Sequence, residues 1–126
     1  MKKDIANQQD IRLLIDSFYE KVRKDPVISY LFEEVAHVDW ERHLPVMYSF
    51  WENVIFMTGD YSGNPMTVHM QLHRQSPLTK AHFDRWYHLF KETVDELFEG
   101  EQAEKARQRA LSIATVMQIK IAAMGS

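Results

Sequence analysis

The sequence predicts an all-α protein, and three observations carry that prediction. Apolar residues recur at helical spacing through most of the chain, no segment alternates in the way a half-buried strand does, and helix-breaking residues are sparse. Three of the eight glycines and prolines (Gly59, Gly63 and Pro65) fall within seven positions, which marks one irregular stretch in an otherwise helical chain. The 126 residues fit a single domain, 1–126.

The first helix is expected to start near Asn7, a capping residue, with Asp10 in the first turn near the positive end of the helix dipole. Ile11, Leu14, Ile15, Phe18 and Val22 form its stripe. Tyr19 borders that stripe, so its hydroxyl reaches whatever the stripe covers. Pro26 ends this helix or opens a short one running from Pro26 to Phe32. A second long helix follows Asp39, with Trp40, His43, Leu44, Met47, Trp51, Val54 and Ile55 on one face. Pro45 is awkward there, because an interior proline removes a backbone hydrogen bond and clashes with the preceding turn. Either the helix begins after Glu41 or it bends beside His43.

Residues 58–76 read as loop, with a turn or two of helix near His69. Ser76-Pro77 is a start signal for the third long helix, a cap followed by proline at the first helical position. Phe83, Trp86, Tyr87, Phe90, Val94, Leu97 and Phe98 form its stripe, ending at Gly100. A last helix, about Glu101 to Ala123, carries Ala106, Ala110, Ile113, Met117 and Ile121.

Composition narrows the function. Three Trp, five Tyr and seven Phe are many rings for so short a chain, and rings make good walls for a flat apolar ligand. The net charge of −3 is spread along the chain, with no basic stripe for nucleic acid. The absence of cysteine excludes disulfides and thiolate metal sites. Met1-Lys2-Lys3-Asp4 lacks a signal-like apolar stretch, and no run of about 18 apolar residues exists to span a membrane, so a cytoplasmic protein is expected.

Of the six histidines, two stand out by position. His69 lies in the irregular stretch, and a neutral imidazole is a common metal ligand. His73, four residues on, would share its face on a helix, yet the spacing supplies no further ligands for a zinc site. His43 lies in an apolar stripe beside Trp40, Met47 and Trp51. It reads either as a core histidine satisfied by one hydrogen bond or as a polar group facing a pocket, and Tyr19 and Trp86 share that ambiguity. A di-iron carboxylate bundle expects two Glu-x-x-His motifs. Only Glu34-Val35-Ala36-His37 matches, which rejects it. No glycine-rich phosphate loop or local nucleophile motif appears.

Four markers in order then suggest a family. They are Phe18-Tyr19-Glu20-Lys21-Val22; Trp40-Glu41-Arg42-His43 followed by Phe50-Trp51; Gly59-Asp60-Tyr61-x-Gly63-x-Pro65 with His69 downstream; and Phe83-x-x-Trp86-x-x-Leu89-Phe90. Together they resemble the truncated haemoglobins over nearly the whole chain. The double-glycine motifs of groups I and II are absent, so the resemblance is to group III. It implies a two-over-two helical sandwich around haem b, with His69 as the iron ligand. The distal tyrosine then falls on Tyr19, the distal-helix histidine on His43 and the distal tryptophan on Trp86. Met47 takes the apolar position one turn after His43, and Trp51 is a pocket-floor aromatic. Pro45 departs from the family's pattern. Arg42, His73 and Arg74 are candidate cations for the haem propionates.

The resemblance implies a five-coordinate iron that binds dioxygen, nitric oxide or another small ligand, in a monomer served by a reductase. The alternative is a haem redox enzyme acting on peroxide or nitric oxide, with His43 and Trp86 as its acid–base and donor pair. A haem-free helical domain that binds a partner through an exposed face is the third reading, and a Soret band separates it from the other two.

Overall fold

The structure, a computed structural model, describes residues 2–57 and 78–125, with side chains described to residue 122. Four long helices, α1 (Gln8–Lys24), α2 (Trp40–Phe56), α3 (Lys80–Leu97) and α4 (Glu101–Gly125), account for most of it. No strand occurs among the described residues. Helix α1 packs on α2 and α3, and α4 packs on α3 and α2, which closes a two-over-two sandwich. Ser76, Pro77 and the irregular stretch with His69, His73 and Arg74 lie outside the described residues.

Helix α1 forms as its sequence dictates. Asn7 accepts a hydrogen bond from the Asp10 amide at 3.0 Å, and the last turn carries Lys21, Arg23 and Lys24 at the negative end of the dipole. Ile11, Leu14, Ile15, Phe18, Tyr19 and Val22 are all buried. The helix stops at Asp25, whose Oδ2 accepts from the amides of Val27 and Ile28 at 3.0 and 3.1 Å. Its Oδ1 meets Arg85 Nη2 of α3 at 2.6 Å, so one buried carboxylate ends α1 and ties it to α3.

The short helix expected over Pro26–Phe32 is instead a turn followed by a π-helical segment, Leu31–Val35. The Ala36 amide donates to Leu31 O at 2.9 Å across its wide turn. Single π-turns frequently mark functional sites. Here the wide turn brings Phe32 and Glu33 toward α1 and α2.

Helix α2 begins at Trp40, not after Glu41, and runs through Pro45 to Phe56. Asp39 O accepts from the amides of both Arg42 and His43, which secures the first turn upstream of the proline. Pro45 has no amide for Glu41 O, and the helix tolerates this one turn from its start, at an exposed position. At the other end Met57 takes a left-handed conformation, φ 57°. Lys105 of α4 donates to Ile55 O at 2.9 Å, a cation on the carbonyl end of the helix.

Helix α3 starts three residues later than the Ser76-Pro77 signal suggests. Thr79 is its cap: the hydroxyl accepts from the His82 amide, and His82 Nδ1 accepts from the Thr79 amide at 3.0 Å. This reciprocal box satisfies two orphan amides, and a histidine occupies the place usually held by Glu or Gln. The helix ends at Leu97, with Phe98 extended and buried beneath it.

Helix α4 begins at Glu101 and is capped from the far end of the chain. Asp4 accepts from the amides of Gln102 and Ala103, both at 2.9 Å. Partial burial raises the Asp4 pKa, but these amide hydrogen bonds outweigh it and hold the carboxyl below its ordinary value. Gly100, at φ 139°, makes the approach feasible, since a Cβ there would lie 2.5 Å from the Asp4 carboxyl carbon. Ala103, Ala106, Ala110 and Ala114 form the buried edge of α4, small enough for close packing against α3. The helix ends at Gly125, two residues beyond the expected Ala123.

Candidate functional site

Tyr19 and His43 meet inside the sandwich. Helix α1 delivers Tyr19 one residue past Phe18, and α2 delivers His43 one turn after its start. Their ring centroids lie 5.2 Å apart with planes at 80°, an edge-to-face contact. Tyr19 is 6% exposed. Burial pushes its phenol well above the ordinary tyrosine range. The hydroxyl therefore stays protonated near neutrality.

An aromatic frame surrounds the pair. Phe18 lies 4.8 Å from Tyr19, Trp40 5.4 Å and Phe32 6.1 Å. Phe18 also meets Trp86 edge-on at 5.8 Å, so Trp86 joins the cluster through Phe18. Trp86 stacks on Phe90 at 5.9 Å, and Trp51 stacks on the same Phe90 at 4.5 Å. The structure thus brings Tyr19 and His43 into direct contact and links Trp86 and Trp51 to them through Phe18 and Phe90. Met47 lies one turn after His43, half-buried against the core. Arg42 is exposed in the first turn of α2.

Helix α2 is richly apolar but only partly covered. Its buried residues are Trp51, Glu52 and Ile55. Leu44, Met47, Phe50 and Val54 remain half-buried, as do Trp86 and Tyr87 of α3. Large apolar side chains left half-covered on α2 and α3 suit a flat apolar group, and the polar tips of Tyr19, His43 and Trp86 suit a small polar ligand beside it. A porphyrin fits such surroundings. Among the described residues, no three His, Asp or Glu side chains gather to hold a metal ion.

Several neighbours escape a reading of the sequence. Phe18, Phe32 and Phe90 frame the polar pair, yet each looks like an ordinary core residue in a stripe. Glu52 is buried, and among the described residues Oε1 has no hydrogen-bond partner.

A family model for bacterial-like globins matches residues 3–122. The chain belongs to this family, within its group III truncated haemoglobins. It is 32% identical over 121 residues to the group 3 truncated hemoglobin ctb of Campylobacter jejuni, covering 94% of this chain and 93% of that protein. The crystal structure of a group III truncated hemoglobin from Campylobacter jejuni superposes with a TM-score of 0.85 at 31% identity, covering 100% of this chain and 99% of the other. Membership of a globin family implies haem binding. Among the described residues of this globin, no helix is long and apolar enough to cross a membrane.

Proposed function

We propose that this globin holds haem b through His69 and binds dioxygen, nitric oxide and similar diatomic ligands in a space bordered by Tyr19, His43, Met47 and Trp86. Haem, when bound, would supply an iron that the His69 imidazole could hold and that could take up a small ligand. The supporting observation is the buried, protonated Tyr19 phenol set edge-to-face against His43 at 5.2 Å in an otherwise aromatic frame.

The chain's own residues then have distinct tasks. Tyr19 donates its O–H toward a ligand that carries partial negative charge. His43 borders the same space from α2, and the Trp86 indole approaches it from α3. A hydrogen bond to a charged group contributes ~1.5–3 kcal/mol, so each donor slows ligand loss substantially. Phe18, Phe32 and Trp40 exclude water around the pair and strengthen those bonds by lowering the local dielectric. Trp51, stacked on Phe90, gives the floor a rigid wall. Arg42 lies at the rim of α2, with His73 and Arg74 as further partners for the propionates.

Absorption spectra of the purified chain in ferric, ferrous and carbonyl forms test this reading. A Soret band that moves on reduction and again on adding carbon monoxide is the expected result. A chain that stays colourless after reconstitution with haem contradicts it.

A further inference from the structure

Trp40 touches both polar residues of the distal space. Its ring lies 5.4 Å from Tyr19 at 57° and 5.7 Å from His43 at 83°. On its outer side, the Arg23 guanidinium sits 5.0 Å from the ring centroid, a cation–π contact. Glu33 Oε1 accepts from the indole N–H at 3.3 Å and from Arg23 Nε at 3.0 Å. One carboxylate oxygen therefore fixes both the indole and the cation above it. Beyond this clamp, a groove of about 590 Å³ opens between α1 and α2, and Tyr19, Trp40, Leu44 and Tyr48 are among its walls. Trp40 stands between that groove and His43.

We infer that Trp40 is a positioning residue: clamped by Arg23 and Glu33, it keeps His43 against Tyr19, stands between His43 and the groove, and so sets how fast a small ligand enters. The rate part of this inference rests on the haem reading given above. The clamp is built to be weak. The Arg23 and Glu33 side chains are 52% and 41% exposed, and an exposed ion pair shifts an equilibrium by up to about fivefold, ~1 kcal/mol. Salt screens it further. The π-helical turn supplies Glu33 and Phe32 together, and Phe32 stacks on Trp40 at 5.9 Å. The wide turn and the clamp are thus one construction.

Two measurements on the full chain test it. The first is the ring-proton NMR shifts of His43, which the Trp40 and Tyr19 ring currents displace, read with and without haem. The second is the carbon monoxide association rate of the haem-loaded protein. Glu33→Ala is expected to move the His43 shifts toward those of Trp40→Ala and to speed association by up to about fivefold. High salt should move the wild type the same way and leave Glu33→Ala where it is. Glu33→Gln, which keeps an acceptor for the indole, should restore part of the wild-type behaviour. Trp40→Ala, which removes the ring contacts to Tyr19, His43 and Phe32, should speed association by about tenfold or more. If it does not fold, the exposed Glu33 variants carry the test. Unchanged His43 shifts and unchanged entry in Glu33→Ala at both salt concentrations would overturn the inference. A chain that takes up no haem removes the rate measurement and the haem reading with it, while the His43 shifts still decide whether the clamp holds.

Discussion

Tyr19 and His43, 24 positions apart on different helices, meet edge-to-face at 5.2 Å between ring centroids and 80° between planes. The contact places a protonated phenol and an imidazole side by side in a frame of Phe18, Phe32 and Trp40. Replacing Tyr19 with Phe keeps the ring packing and removes the donor. Dioxygen release should then accelerate by about tenfold or more, the scale of one charge-assisted hydrogen bond. Stopped-flow displacement by carbon monoxide measures this rate, and an unchanged rate removes Tyr19 from the role.

Glu52 makes the opposite kind of prediction. Glu52 is 8% exposed, and among the described residues Oε1 has no hydrogen-bond partner. A buried polar atom left unsatisfied costs about 1–3 kcal/mol, whereas an apolar side chain of similar shape carries no such cost. Glu52→Met should therefore raise stability by roughly 1 kcal/mol, allowing for imperfect repacking. Urea denaturation reads the change as a higher midpoint at constant slope. A lowered midpoint would show that the carboxylate is needed where it is.

His82 links stability to pH. Its Nδ1 accepts from the Thr79 amide at 3.0 Å, which in the neutral ring leaves Nε2–H to donate to Tyr30 Oη at 3.0 Å. Burial lowers the His82 pKa from its ordinary 6.5. Between that ordinary value and the lower folded value, the unfolded chain binds more protons than the folded one, so stability rises with pH. The contribution is complete above pH 6.5 and declines as pH falls toward the folded pKa. His82→Gln, which keeps a side chain able to close the capping box, should lose less melting temperature than the wild type between pH 7.5 and pH 5.5 (a range of about one unit either side of the ordinary histidine value). Equal losses in the two proteins would contradict this role for His82.

Much of the fold is legible in the sequence, because burial follows helical period wherever a stripe is continuous. Ile11, Leu14, Ile15, Phe18 and Val22 of α1 are all buried, as are Phe83, Phe90, Val94 and Phe98 along α3 and beyond its end. What escapes is structure with no period of its own. The π-helical turn depends on i to i−5 hydrogen bonds that no apolar repeat signals. The Thr79–His82 box that starts α3 uses a histidine as its second partner, a choice that no apolar period signals. Asp4 caps α4 from 98 positions away, a relationship set by the tertiary packing of the N-terminal segment against Gly100. Pro45 looks like a break, but it falls early enough in α2 for Asp39 O to secure the turn before it.

The site divides along the same line. Tyr19, His43 and Trp86 are visible as polar or polar-tipped residues set within apolar stripes, and helical geometry then brings Tyr19 against His43 and joins Trp86 to them through Phe18. Trp40's clamp is not visible, since Arg23, Glu33 and Trp40 come from three different elements and the charged pair reads as ordinary solvated surface. The assignment of His69 rests on motif order rather than on geometry, and it is the assignment on which the proposed chemistry depends.

The most direct test of that chemistry is the ferrous-carbonyl absorption spectrum of His69→Ala beside the wild type. Loss of the wild-type Soret band, or its replacement by a spectrum that added imidazole restores, is the predicted result. A ferrous-carbonyl spectrum identical to that of the wild type, with haem retained as firmly, would contradict a single imidazole anchor at His69.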